Sequence, residues 1–323
     1  MESQGNPQFV RLSPRFRVAQ VSADNPFAAH GKGGLVFELE DWPGERFTLW
    51  FPESINAFGL PLRLSVDWMG NQRWRVEEAE EYAWQFEESE LCEFQAEIRP
   101  IREGLKLTLT LTNLTSEVFR DGWVNICLRC CHAPSFNDPG LMRTFLRFKG
   151  EWTPIKALAT LDHSKQYRII LPKEYSENFL RICGGMENAI VKQRPDHHLI
   201  AITDPAGKRT VGFYAEKCAG LVVNGMEDMR CIHSNPSLPY EIKPRETGSA
   251  ECLILFMNEG NLSTLSRRLR SGSNERGSPW TKTEGRRGRP RVHSHLKLAA
   301  WPYSFSSSAC PTEMDGWNPS YAL

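Results

Sequence analysis

The chain has 323 residues, 40% of them apolar and 24% charged, with 39 Lys plus Arg against 39 Asp plus Glu. That length builds one large β domain or two ordinary ones around a substantial core, and the balanced charge excludes a global field favouring nucleic acid or an anionic membrane. No stretch approaches the ~18 uninterrupted apolar residues of a membrane span.

The N-terminal stretch MESQGNPQFVRLSPRFRV is polar and lacks the apolar centre of a secretory signal. A cytoplasmic protein is therefore expected, unless a start codon further upstream adds a signal. The cysteines, Cys92, Cys127, Cys130, Cys131, Cys183, Cys218, Cys231, Cys252 and Cys310, form an odd set, and several sit in apolar runs such as VNICL and AECLILF. There Cys acts as a small hydrophobe, which fits a reduced compartment.

Residues 1–25 read as an extended entry and residues 26–269 as one domain. Short apolar runs follow one another: Gly34 to Leu39, Arg46 to Phe51 and Leu62 to Val66, with turns at Pro43-Gly44 and Gly70-Asn71. Trp84 to Ile98 alternates, though its acidic crowd from Glu77 to Glu97 marks a solvated face. It leads through a turn at Arg99 to Gly104 into the clearest strand, where Leu105, Leu107, Leu109 and Leu111 alternate with Lys106, Thr108, Thr110 and Thr112. After a polar turn, Trp123 to Leu128 reads as its partner strand, delivering Cys130, Cys131, His132, Asn137 and Asp138 just past its end.

Further on, Phe145 to Trp152 carries a turn at Lys149-Gly150. Leu199 to Thr203 and Thr210 to Ala215 flank another turn, Ala219 to Asn224 and Glu251 to Phe256 add strands, and a short helix is placed around Glu174 to Phe179. On the order of a dozen strands, against about 7–9 in an immunoglobulin-type domain, predicts an all-β protein, a large antiparallel β-sandwich. From residue 270 the chain turns rich in Ser, Gly, Pro and Arg, a low-complexity basic tail expected to be disordered or to be a frame-shifted end.

Two pieces together resemble a group of uncharacterised bacterial proteins that look like the galactose mutarotase-like β-supersandwich. The first is Asn125-x-Cys127, then Pro134-x-Phe136-x-Asp138, Arg143-Thr144-Phe145 and Gly150-x-Trp152. The second is Cys231-Ile232-His233-Ser234-Asn235-Pro236, then Ile242-x-Pro244-x-Glu246-Thr247 and Leu255-Phe256-Met257-x-Glu259-Gly260. Where such sandwiches carry a Pro-Gly-Glu-Thr turn, this chain has Arg245 in place of the glycine. The resemblance covers roughly residues 30 to 268. It implies the supersandwich fold and a carbohydrate partner, mono- or oligosaccharide, handled by an epimerase, by a polysaccharide lyase or by a non-catalytic binding module.

The histidines carry the chemical expectation. His132 and His233 each follow cysteines and precede a proline, which places both at strand ends or on loops. An imidazole titrates near neutrality, so either one facing a carboxylate can exchange protons with a sugar. Asp138 is the carboxylate expected, with Glu227 and Asp228 behind it; the plainer reading makes each histidine a hydrogen-bonded loop residue. Trp123 and Trp152, with Trp68 and Trp74, are candidate sugar platforms, although a large sandwich buries most of its tryptophans. Arg143 is placed for an acidic sugar's carboxylate, and Asn137 and Asn235 for hydroxyls.

No cofactor is expected. A divalent metal on His132, His233 and Asp138, joined by His163, is the alternative, though no paired metal-ligand spacing supports it. Cys127-x-x-Cys130 offers a dithiol outside the helix setting that activates thiolates, and Cys131 interrupts a haem-attachment pattern. Asp196-His197-His198 reads as a surface turn. A lyase would call on Tyr167 or Tyr214 as base. Arg286 to Arg291 resembles a single AT-hook, too short to predict nucleic-acid binding.

Overall fold

Leucine alternating with lysine and threonine gives the Leu105 segment one apolar side to bury. In the computed structural model it forms strand β8 (Gly104–Asn113), with Leu105, Leu107, Leu109 and Leu111 all withdrawn from water. Each such leucine is worth roughly 1.5–3 kcal/mol. The structure describes residues 7–21, 34–58, 60, 74–77, 81–158, 166–170, 188–191, 194–224, 230–258 and 262–265. All belong to the first of two compact units, Met1–Thr281 and Lys282–Leu323. The basic tail, the helix expected near Glu174, Trp68, His163, Glu227 and Asp228 lie outside the described residues.

Among the described residues the strands form two sheets. The ten-stranded sheet runs in the order β1 (Val10–Arg11), β2 (Phe16–Val21), β3 (Gly34–Leu39), β4 (Arg46–Phe58), β9 (Phe119–Arg129), β17 (Cys231–Pro236), β16 (Cys218–Asn224), β12 (Gln166–Ile170) and β13 (Asn188–Val191), with β18 (Glu241–Ile242) also on β9. The nine-stranded sheet runs β11 (Glu151–Pro154), β10 (Thr144–Phe148), β14 (Leu199–Thr203), β15 (Thr210–Tyr214), β19 (Thr247–Met257), β8, β7 (Cys92–Ile101), β6 (Tyr82–Glu88) and β5 (Arg75–Glu77). Pairing is antiparallel apart from β12 with β13. A single turn of helix, α1 (Ile155–Leu158), follows β11. No helix among the described residues is long and apolar enough to cross a membrane.

One core joins the two layers. Phe37, Phe47, Leu128 and Ile232 from the first sheet meet Leu107, Phe213 and Phe256 from the second. At one end Trp42 stacks on Phe136 with ring centroids 4.9 Å apart and meets Phe256 edge-on at 5.7 Å. The fold is thus the large, mostly antiparallel β-sandwich that the alternation predicts.

Three local expectations change. β9 is not the partner of β8: it lies between β4 and β17, while β8 lies between β7 and β19. β9 buries both of its faces, as a strand covered on two sides does, whereas β8 alternates buried with half-buried residues. The chain changes sheet at Asn113, whose Nδ2 donates to the carbonyls of Glu117 (2.6 Å) and Ile242 (3.0 Å). Secondly, Trp84 to Ile98 is two strands, broken where the Ser89 hydroxyl accepts from the amides of Leu91 (3.3 Å) and Cys92 (3.1 Å). Thirdly, His233 is inside β17 and not on a loop.

Candidate functional site

Side chains two apart on a strand share a face. On β9, Val124, Ile126 and Leu128 enter the core, so Trp123, Asn125, Cys127 and Arg129 turn to the other side. On β17, Ile232 enters the core and Cys231, His233 and Asn235 turn away from it. Register brings these sets together: Cys127 is paired with Trp50 on one side and His233 on the other, and Arg129 is paired with Cys231. This outward face of the ten-stranded sheet therefore carries thiols, an imidazole, amides and a guanidinium where a sheet face against solvent would carry ordinary polar residues. It is covered nonetheless, since Cys127 is 0%, His233 6% and Cys231 7% exposed.

A register shift in β4 between Trp50 and Ser54 adds the carboxylate. Bulges re-aim side chains, and here Glu53 comes to lie with an oxygen 3.6 Å from His233 Nδ1. Asn125 sits between them, its Nδ2 donating to Glu53 at 2.8 Å and its Oδ1 3.2 Å from His233 Nδ1. A carboxylate only accepts, which fixes the Asn125 amide with nitrogen toward Glu53 and oxygen toward the imidazole. Nδ1 accordingly carries the hydrogen in the neutral ring, and Nε2 turns its lone pair to the Cys231 sulfur, 3.0 Å away.

The two thiols differ in character. Burial alone would push the Cys231 thiol up, but the hydrogen bond from Cys127 and the adjacent His233 ring and Arg129 outweigh it and hold Cys231 well below the ordinary thiol range. Burial, with Cys231 alongside, drives Cys127 well above it. The site thus combines a thiol whose pKa is held low, an imidazole with a partner on each nitrogen and a half-buried carboxylate.

The residues expected from sequence divide between this face and other places. His233, Trp123 and Asn235 are on it, with Asn235 Nδ2 donating to the Gly220 carbonyl at 2.8 Å and Trp123 only 3% exposed. Asp138 is elsewhere, in the loop after β9. It lines a small cavity with Cys130, Asn224 and Cys231. Its oxygens are committed to the amides of Arg143 (2.7 Å) and Met142 (3.3 Å) and to the Thr144 hydroxyl (2.9 Å). Arg143 is committed likewise, donating to the carbonyls of Ser135 (2.7 Å), Thr203 (2.6 Å) and Asn137 (3.1 Å). Asn137 Oδ1 accepts from Arg230 at 2.6 Å. These bonds knit the loop to the sandwich, and they put Asp138 and Arg143 with the loop and apart from His233.

His132 belongs to a turn of that loop, its carbonyl accepting from the Arg46 amide at 3.0 Å. Trp152 is on the other sheet, packed against Leu199, Leu253 and Leu255, and Trp74 is in the main core. Tyr214 also packs on that second cluster, its hydroxyl pKa raised by burial, and Tyr167 is on β12. Cys127 and Cys130 do not form a dithiol pair, because Cys127 turns outward while Cys130 belongs to the core. His198 Nδ1 meets the Glu216 carbonyl at 2.9 Å and Asp196 caps the β10–β11 turn through the amides of Lys149 and Gly150, as a surface turn would.

Sequence reading missed Glu53, Asn125, Cys127, Cys231 and Arg129 as members of one site. The signal for most was present: Asn125-x-Cys127-x-Arg129 and Cys231-x-His233-x-Asn235 each place three functional side chains on one strand face. Glu53 had none, since its position depends on the register shift. Among the described residues, the group whose donor atoms could share a metal is Cys127, Cys231 and His233, all within 4.8 Å of one another. Of the metal set expected from sequence it contains His233 alone.

No protein-family model and no curated protein matches the chain. Among solved structures it is similar to a galactose mutarotase-like protein from Lactobacillus casei, at 8% identity and a TM-score of 0.42, over 78% of this chain and 100% of that one. It is similar to a galactose mutarotase related enzyme from Lactobacillus acidophilus, at 10% identity and a TM-score of 0.39, over 79% and 98%. The α-N-acetylgalactosaminidase of Bifidobacterium bifidum, solved with GalNAc, gives 10% identity and a TM-score of 0.43 over 84% of this chain and 39% of its own.

Proposed function

We propose that the chain acts on a mono- or oligosaccharide by acid–base proton transfer at Glu53 and His233. The observation that carries this reading is the pair itself: a carboxylate and an imidazole 3.6 Å apart, aligned by Asn125 on the sheet face turned away from the core. Glu53, Ser54 and Asn125 are half-buried where their neighbours are buried, so a ligand reaches this corner first. Their amide, hydroxyl and carboxylate groups suit a ligand made of hydroxyls.

In an epimerase-like reaction Glu53 takes the proton of the anomeric hydroxyl while protonated His233 gives one to the ring oxygen. The bond from the anomeric carbon to the ring oxygen breaks, the carbonyl rotates, and closure on its other face returns both protons. A second reading, a saccharide-binding module without chemistry, is favoured by one feature: both nitrogens of His233 already have partners.

A saccharide panel followed by proton NMR, scoring line broadening and anomeric exchange, separates them on the wild type, Glu53→Gln and His233→Ala. Exchange accelerated by the wild type alone supports the enzyme. Broadening without acceleration supports the binding module, and a panel with neither sinks the carbohydrate reading.

A further inference from the structure

The Cys127, Cys231 and His233 cluster has features that neither buried small hydrophobes nor a sugar site requires. Two cysteines and a histidine from neighbouring strands converge on one point, their sulfur and nitrogen atoms within 4.8 Å of one another. Trp50 is the apolar residue they share, and the core on the opposite face of the sheet does not include them. His233 presents Nε2 to that point because Asn125 holds its Nδ1, with Glu53 next in the chain of contacts. A carboxylate or amide on the far nitrogen is how proteins orient a metal-ligating histidine and fix its tautomer.

We propose that Cys127 Sγ, Cys231 Sγ and His233 Nε2 form a zinc site, with Asn125 and Glu53 as the groups that orient the histidine. Two thiolates and one imidazole are a zinc donor set, and three protein ligands leave the fourth tetrahedral position for water or a ligand oxygen. Metal–sulfur distances of about 2.3 Å and metal–nitrogen distances of about 2.0–2.1 Å put tetrahedral donors roughly 3.5–4 Å apart, so the Cys231 sulfur and His233 Nε2, 3.0 Å apart in the metal-free cluster, need to separate by only about 0.5 Å to admit the ion. Charge also balances. One Zn²⁺ enters as two protons leave, one from Cys127 and one shared by Cys231 and His233, so the cluster beside Arg129 and Glu53 keeps its net charge and no uncompensated ion is buried. Glu53 stays off the metal, on the Nδ1 side.

This site does not rest on the saccharide reading: a zinc-bound His233 is not available as that reading's protonated acid, so occupancy would favour the binding module, and the site is tested with no sugar present. The full chain is stripped with a chelator and titrated with Co²⁺, which reports tetrahedral thiolate ligation by its visible bands and its sulfur-to-metal charge transfer. The expected result is one equivalent bound per chain, bands abolished by added Zn²⁺, and their loss in Cys231→Ser and in His233→Gln. Cys252→Ser, in the core of the other sheet, should keep them. Because the site variants could fail through misfolding, X-ray absorption on zinc-loaded wild type is the second measurement, and a shell of two sulfurs and one nitrogen completed by a light atom is expected. Absence of the bands in the wild type overturns the proposal. So do bands that persist in folded Cys231→Ser, or a shell without sulfur.

Discussion

Glu53 Oε2 and His233 Nδ1 lie 3.6 Å apart, brought together by a register shift in β4 and by one amide, Asn125, that bonds to both. Glu53 is the more exposed of the two, with 16% of its side chain exposed against 8% for His233. If proton transfer is its work, Glu53→Gln keeps the shape and the Asn125 contact while removing the base. Anomeric exchange should then fall by about 10²–10⁴-fold with saccharide broadening retained. An exchange rate within threefold of wild type would remove Glu53 from the reaction.

Asp138 and Arg143 should behave in the opposite way. Asp138 accepts from two amides and a hydroxyl, and Arg143 spans three carbonyls of the loop and of β14. Asp138→Asn and Arg143→Lys each leave buried partners unsatisfied and should cost about 1–3 kcal/mol in urea unfolding. Neither should alter the preference between neutral and acidic sugars. A shift in that preference with stability unchanged would return Arg143 to the ligand.

The contrast shows what the sequence could carry. Period-two alternation makes β8 and β10 readable, because burial of one face leaves a local record, whereas β14 and β15, buried almost throughout, are marked out by the turn between them. The motifs around Cys127 and Cys231 make His233 and Asn235 stand out in the sequence. Which carboxylate meets His233 had no local record, since Glu53 and His233 meet through the order of β4, β9 and β17 in the sheet. Asp138 stands close to His132 in sequence, but that closeness says nothing of what its oxygens bond to. Its buried oxygens turned out to be needed by the loop's own amides, a demand invisible until the backbone is in place.

Asp204 gives the acid limb of stability a specific contributor. Burial would raise its carboxyl, but the amides of Arg209 and Lys208 and the Arg209 guanidinium, at 2.8 to 3.2 Å, hold it below the usual 3.8. A depressed folded pKa means stability that is complete above the unfolded value and lost as pH falls through the folded one. Asp204→Asn should therefore be less stable than wild type by about 1.5–3 kcal/mol at neutral pH. The gap should close as the pH drops from about 5 toward 2, followed by urea midpoints across that range. A gap constant with pH would assign the loss to packing.

Arg245, in the turn before β19, has a φ of +67°, in the left-handed region that favours glycine. The turn needs that conformation: the Arg245 amide donates to the Asn113 carbonyl at 2.8 Å and the Glu246 amide to Lys243 at 3.0 Å, closing the entry to β19 beside the point where the chain changes sheet. A side chain in the left-handed region costs about 1–2 kcal/mol, whereas glycine gives back roughly 0.5–1 kcal/mol through the entropy of the unfolded chain. The balance favours glycine. Arg245→Gly should raise the urea midpoint by the equivalent of about 0.5–1 kcal/mol with an unchanged slope. Arg245→Ala, which removes the charge and keeps the Cβ, should not. Equal gains in both variants would show that the guanidinium, and not the backbone, is the strained partner.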